Sequence, residues 1–163
     1  MEKPAYEKTN VMRILDQKKI TYTPHAYPLH ADGTAPGGTE IAAFLQKPCA
    51  AVYKTLVTRG ASGRLYVFDI PVDGELDLKK AARAVSEKSV EMLKSKELLP
   101  NTGYIHGGCS PIGMKKPYPV IFEAAVMDLS TVTFSAGRVG FQVELNTADL
   151  GRALAFSTAD LLA

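Results

Sequence analysis

Two short segments about fifty residues apart hold the residue types best suited to chemistry. Val52-Tyr53-Lys54-Thr55 sets a lysine inside an apolar run, and Gly107-Gly108-Cys109-Ser110-Pro111-Ile112-Gly113 is a loop bracketed by glycines. A lysine between Tyr53 and the Leu56-Val57 pair must either reach solvent along its stem or point into a site where its charge finds a partner. The glycine loop exposes several backbone N–H groups with few side chains in the way, which suits close approach to a carbonyl oxygen or a phosphate.

Other chemistries find less support. The three histidines, His25, His30 and His106, form no metal-ligand spacing with one another or with Cys49 and Cys109, so neither a metal nor another cofactor is expected. His106 abuts the glycine loop and is a candidate to line the same pocket. Gly107 to Lys115 lacks the Gly-Lys-Ser/Thr ending of a phosphate-cradling P-loop. No histidine is placed by the sequence to act as a base for Ser110, which leaves a Ser-His mechanism without a second member.

The elements that must position these groups mix strands and helices without regular alternation. Thr9 or Asn10 caps a first helix reaching about Lys19, and Ile20 to Tyr27 reads as an edge or interrupted strand because of Pro24. A loop from Pro28 to Gly38 leads to a short helix from Thr39 to Leu45. Ala51 to Thr58 pairs with Arg64 to Ile70 as a hairpin. Asp77 caps a helix over Leu78 to Val85, and a further helix from Ser95 is stopped by Pro100. Strands are expected at Val120 to Glu123, Thr131 to Ser135 and Gly140 to Leu145, before a C-terminal helix capped by Thr147. The fold class is therefore α+β: one domain over 1–163, with a mixed, mostly antiparallel, curved or barrel-like sheet flanked by short helices.

Composition agrees with such a domain. The chain has 163 residues, 46% hydrophobic and 22% charged, with a formal net charge of +2. That charge is too mild to announce a DNA-binding protein, yet Lys79, Lys80, Arg83, Lys88, Lys94 and Lys96 cluster, and Lys115-Lys116 follow the glycine loop. Such patches can track a phosphate backbone, although solvated helix faces are the commoner meaning of such a run. Two cysteines outside any disulfide pattern, no apolar signal core and no span-length segment point to a cytoplasmic protein away from membranes.

Taken in order, several motifs resemble the YbaK/prolyl-tRNA synthetase-associated editing domain family of free-standing aminoacyl-tRNA deacylases. They are Ile20-Thr21-Tyr22 through His25-Ala26-Tyr27, Val52-Tyr53-Lys54-Thr55-Leu56, Asp73-Gly74 with Leu76-Asp77-Leu78-Lys79-Lys80, Thr102-Gly103-Tyr104, Gly107 through Lys116, and Gly140-Phe141-Gln142-Val143-Glu144-Leu145. The resemblance covers nearly the whole chain and runs closest to the bacterial cysteinyl-tRNA(Pro) deacylases. It implies hydrolysis of the ester between a wrong amino acid and the 3′-terminal adenosine of tRNA(Pro), with mischarged tRNA(Pro) and prolyl-tRNA synthetase as partners.

That reaction develops negative charge on the carbonyl oxygen, and the N–H groups near Gly107 and Gly108 are candidates to meet it. Lys54 either holds terminal phosphate or ribose oxygens or stabilises the oxyanion. Tyr27 matches the family's active-site tyrosine. Ser110 and Pro111 are candidates for the substrate-binding loop and shape it rather than attack the ester. Gln142 stands where the resembling cysteine deacylases tend to carry an aspartate, so the amino-acid preference is open to alanine or another small residue. Glu144 faces the same way by the period of two and either substitutes in part or is structural. In the resembling cysteine-specific members the substrate's own thiol attacks its ester, which leaves Cys109 as a small buried cysteine rather than a nucleophile. A non-catalytic RNA- or synthetase-binding module is the reading of a different class.

Overall fold

The computed structural model describes residues 7–163. Helix α1 (Asn10–Gln17) starts where Thr9 accepts the Met12 N–H in its side chain, and it buries Val11, Met12 and Leu15. Strand β1 (Tyr22–Ala26) follows, with Pro24 tolerated because β1 is an edge strand paired only to a later segment. Helix α2 (Gly38–Phe44) precedes a 3₁₀ turn at Cys49–Ala51 and the hairpin of β2 (Tyr53–Gly60) and β3 (Leu65–Pro71). That hairpin closes through Gly63, held at φ 92°, which favours glycine.

Asp77 caps α3 (Leu78–Ala84) by accepting the Lys79 and Lys80 N–H groups. Strand β4 (Val90–Met92) leads to α4 (Ser95–Thr102), which runs through Pro100 instead of stopping there. Proline forfeits one i→i−4 bond, while Asn101 and Thr102 side chains reach back to the Glu97 and Leu98 carbonyls, and left-handed Gly103 ends the helix. The remaining elements are β5 (Val120–Glu123), β6 (Thr131–Ser135), β7 (Phe141–Asn146), α5 (Leu150–Ala153) and β8 (Ser157–Ala159). Thr147 does not cap α5: it lies inside a 3₁₀ turn at Thr147–Asp149, and its buried hydroxyl has no partner among the described residues. Strand β8 has too few apolar residues to announce itself; it forms because β5 offers a free edge.

The architecture is α+β, with two sheets. One is antiparallel, in the order β1-β7-β6; the other is mixed, in the order β4-β2-β3-β5-β8, with parallel pairs at β3/β5 and β5/β8. A single parallel bridge between Val52 and Thr133 joins them, so among the described residues the strands curve but do not close a barrel. The main core lies between the sheets and α1, around Phe122, whose ring meets Tyr53, Phe134 and Phe156 at centroid distances of 6.0, 6.3 and 5.3 Å. A second core packs α3 against the opposite face of β3 through Phe68, Ile70, Ala81 and Leu161. Val52, at the sheet junction, packs with Ala42 and Val72 in a third, small cluster, and that junction is where the candidate site opens.

Candidate active site

A cavity of about 210 Å³ opens at this junction. Among its walls are Pro36 to Gly38 at the start of α2, Val52 to Leu56 at the start of β2, His106, Gly107 and Cys109 on the glycine loop, Ser135 at the end of β6, and Gln142 on β7. Lys54 and Gly107, predicted from two distant motifs, thus share one wall-to-wall space, and Gln142 joins them.

Lys54 is half-buried, because Tyr53 and Val57 anchor β2 in the core on either side of it. Among the described residues its ammonium makes no hydrogen bond or ion pair. Gln142 is only 5% exposed, and its Oε1 is buried without a partner among the described residues. A buried amide oxygen with no donor carries an energetic cost that a ligand's N–H or O–H would relieve. Ser135, opposite Gln142 in the β6/β7 register, lines the same space, and its Oγ accepts the Gly137 N–H.

The glycine loop divides its work. Gly107 sits at φ 86° and lines the cavity, so its backbone conformation and its closeness both favour glycine. Its N–H, and those of Cys109 and Ser110, donate to no acceptor among the described residues. Gly108 differs: its N–H is taken by the Ile105 carbonyl at 3.0 Å, and a Cβ there would stand 3.0 Å from the Val139 nitrogen. Glycine at 108 therefore serves a turn packed against residues 138 and 139, not a free donor. Ser110 is fully buried, its Oγ accepting the Ile112 N–H at 3.3 Å, while Pro111 faces a separate cleft with Lys18, Lys116 and Tyr118. Both shape the loop from outside the cavity. Tyr27, just after β1, is 6% exposed with a buried hydroxyl that has no partner among the described residues, and it too lies outside the cavity wall.

Some polar groups around the cavity were not singled out by sequence reasoning. Tyr53 and Thr55 line the cavity, and burial, with Glu123, Asp69 and Asp128 nearby, pushes the Tyr53 phenol up and keeps it neutral. Cys109 is pushed up to about 12 by burial and then by Asp69, so its sulfur is a neutral thiol at physiological pH. Glu144 shares the β7 face of Gln142, but its two oxygens are engaged: Oε1 accepts from His25 and Lys47 at 2.8 Å each, and Oε2 from Thr131 at 2.7 Å. It is a structural hub of the small sheet, not a stand-in for Gln142. Among the described residues no group of three or more His, Cys, Asp or Glu side chains could hold a metal.

With the geometry in hand, likeness to known proteins becomes informative. The aminoacyl-tRNA editing domain family is matched over residues 35–153, a stretch that spans every wall of the cavity, and the chain belongs to that family. A relative from Enterococcus faecalis named "Putative Cys-tRNA(Pro)/Cys-tRNA(Cys) deacylase EbsC" is 40% identical over 144 residues, covering 88% of this chain and 87% of that protein. A proline–tRNA ligase of Thermosipho africanus is 30% identical over 77 residues, covering 47% of this chain and 14% of the ligase. Among solved structures, one described as "a putative trans-editing enzyme for prolyl tRNA synthetase" superposes with a TM-score of 0.78 at 21% identity, covering 96% of this chain and 99% of that one. At that identity it speaks for the fold. No helix among the described residues is long and apolar enough to cross a membrane.

Proposed function

We propose that residues 1–163 act as one trans-editing domain that cleaves the ester between a wrong amino acid and the 3′-terminal adenosine of tRNA(Pro), with cysteine as the leading amino acid. One observation carries this reading: Lys54 and Gln142, whose ammonium and buried amide oxygen have no partner among the described residues, line the same small cavity, beside loop N–H groups that likewise meet no acceptor there. The ammonium and the Gly107 and Cys109 N–H groups suit the oxygen that gains charge as the ester is attacked. The Gln142 oxygen suits the α-ammonium or a ribose hydroxyl. Lys54 serves either as the oxyanion's counter-charge or as an anchor for terminal phosphate or ribose oxygens.

The thiol of the substrate attacks its own ester carbon. A carbon–sulfur bond forms, the bond to the ribose oxygen breaks, and that oxygen takes up the proton, leaving a cyclic thiolactone and free tRNA. Intramolecular attack needs no protein nucleophile, in keeping with a Cys109 that stays protonated. The small cavity and the neutral Gln142 also favour a second reading in which alanine or another small residue is removed. The exposed Lys79, Arg83, Lys88, Lys94 and Lys96 supply positive surface for tRNA phosphates, and prolyl-tRNA synthetase is the proposed partner in selecting the tRNA.

The test is a deacylation panel with cysteine, alanine, serine and proline on tRNA(Pro), with and without the synthetase. Fast release of cysteine and slow release of serine is the expected result. Equal rates for the two would refute thiol attack, and no turnover of any would leave a binding module.

A further inference from the structure

Asp69 is an acid in an unusual place. It interrupts the apolar run Leu65 to Ile70 of β3, is fully buried, and is paired in register with Thr55 of β2. The Thr55 Oγ1 and Asp69 Oδ1 lie 2.6 Å apart, while Oδ2 is buried without a partner among the described residues. The titratable groups around it are Tyr53 on β2 and Cys109 on the glycine loop, with Glu123 and Asp128 beside Tyr53; all are neutral or acidic. Lys54 lies one residue along β2 but is paired with Ile70, and no cation bridges to Asp69 among the described residues. An isolated carboxylate in such a setting is costly enough that it takes up a proton instead. Burial accordingly pushes Asp69 up to about 8, with the Thr55 hydrogen bond pulling the other way.

Protonation decides which partner donates. An ionised carboxylate can only accept, so Thr55 must point its proton down at Asp69 and offer the cavity bare lone pairs. A neutral acid is the stronger donor of the two, so it gives its proton to the Thr55 oxygen and frees the Thr55 O–H to turn upward. Thr55 lines the cavity, so the substrate meets an acceptor in one case and a donor in the other. We propose that Asp69 is a positioning residue: a neutral carboxylic acid beneath the cavity that donates to Thr55 and thereby aims the Thr55 hydroxyl at the bound ester. This rests on the deacylase reading above and adds a donor to the site without adding a charge.

The experiment follows deacylation of cysteinyl-tRNA(Pro) by the full chain from about pH 6 to about pH 9.5, with enzyme-free hydrolysis subtracted. Wild type is compared with Asp69→Asn, whose amide can hold Thr55 but cannot ionise, and with Thr55→Ser and Thr55→Val. Ionisation of the substrate thiol is common to all four and cancels in ratios. The expected result is a ratio of wild-type to Asp69→Asn kcat that drops as pH rises through about 8, by roughly tenfold at the alkaline end, with KM unmoved. Thr55→Ser keeps that drop and Thr55→Val loses it. A ratio flat with pH, or a Thr55→Val profile like wild type, overturns the proposal. If wild type releases no amino acid at all, the deacylase reading fails on its own, and carboxyl ¹³C NMR of the folded protein still decides the inference. A resonance absent from Asp69→Asn that titrates near 8, and moves in Thr55→Val, upholds the neutral acid and its tie to Thr55; a midpoint in the ordinary carboxylate range rejects both.

Discussion

Replacing Lys54 by methionine removes the charge while keeping an unbranched side chain of similar length in the cavity wall. Because the ammonium forms no ion pair or hydrogen bond among the described residues, no structural bond is lost with it. Stability should move by no more than about 0.5 kcal/mol, which for a chain of this size is a melting shift of about 2 °C or less. Turnover should respond differently. Loss of one preorganised donor to a developing oxyanion lowers kcat by about 10²–10³, or roughly 3–4 kcal/mol of transition-state stabilisation. Single-turnover and steady-state release of cysteine from tRNA(Pro) separate the two roles open to Lys54: a fall in kcat at constant KM marks oxyanion stabilisation, and a raised KM at constant kcat marks ground-state anchoring of the tRNA end. A methionine variant that melts like wild type and matches it in both kcat and kcat/KM would refute the reasoning, since the charge would then have no task in the cavity.

Two further outcomes are expected. Cys109, held as a thiol and largely buried, should alkylate with iodoacetamide at pH 7 far more slowly than the partly exposed Cys49, as read by mass spectrometry, and Cys109→Ser should keep most of its turnover; near-complete loss would make that sulfur the nucleophile. Glu144 should govern acid stability. Burial acts to raise its pKa, but hydrogen bonds from Lys47, His25 and Thr131 outweigh it and hold the carboxyl at about 2, below its ordinary 4.5. A depressed pKa contributes stability that is complete above about 4.5 and is lost as pH falls toward about 2, on the order of 3 kcal/mol. Denaturation of Glu144→Gln should therefore show a flatter loss of stability across that window than wild type, and an identical slope would show that the cluster has no such role.

Features fixed by neighbouring residues could be read directly. Thr9 caps α1 and Asp77 caps α3 because a cap needs only a side chain and the N–H groups two or three residues on. The β2/β3 hairpin followed from two β-prone runs with glycines between them. Pro100 misled because a proline's local penalty is one hydrogen bond, and side chains at 101 and 102 compensate within α4. Thr147 misled because a threonine before a helix resembles a cap whether or not the backbone turns into 3₁₀ geometry first. Strand β8 depends on the free edge of β5, more than thirty residues earlier, which no local pattern encodes.

The site divides in the same way. Residue order alone marked Lys54 and Gly107, since an amine in an apolar run and a bare loop each break their own surroundings, whereas Gln142 drew notice only through the family resemblance. Sequence could not assign Gly108 to a turn, put Ser110 and Pro111 behind the loop, engage Glu144 with His25 and Lys47, or set Asp69 under Thr55. Those outcomes depend on which groups meet across a sheet register or a packed core. Chemical type is a property of each residue, whereas desolvation and hydrogen-bond partnership belong to the space between segments, and that space exists only once the two sheets have joined at Val52 and Thr133.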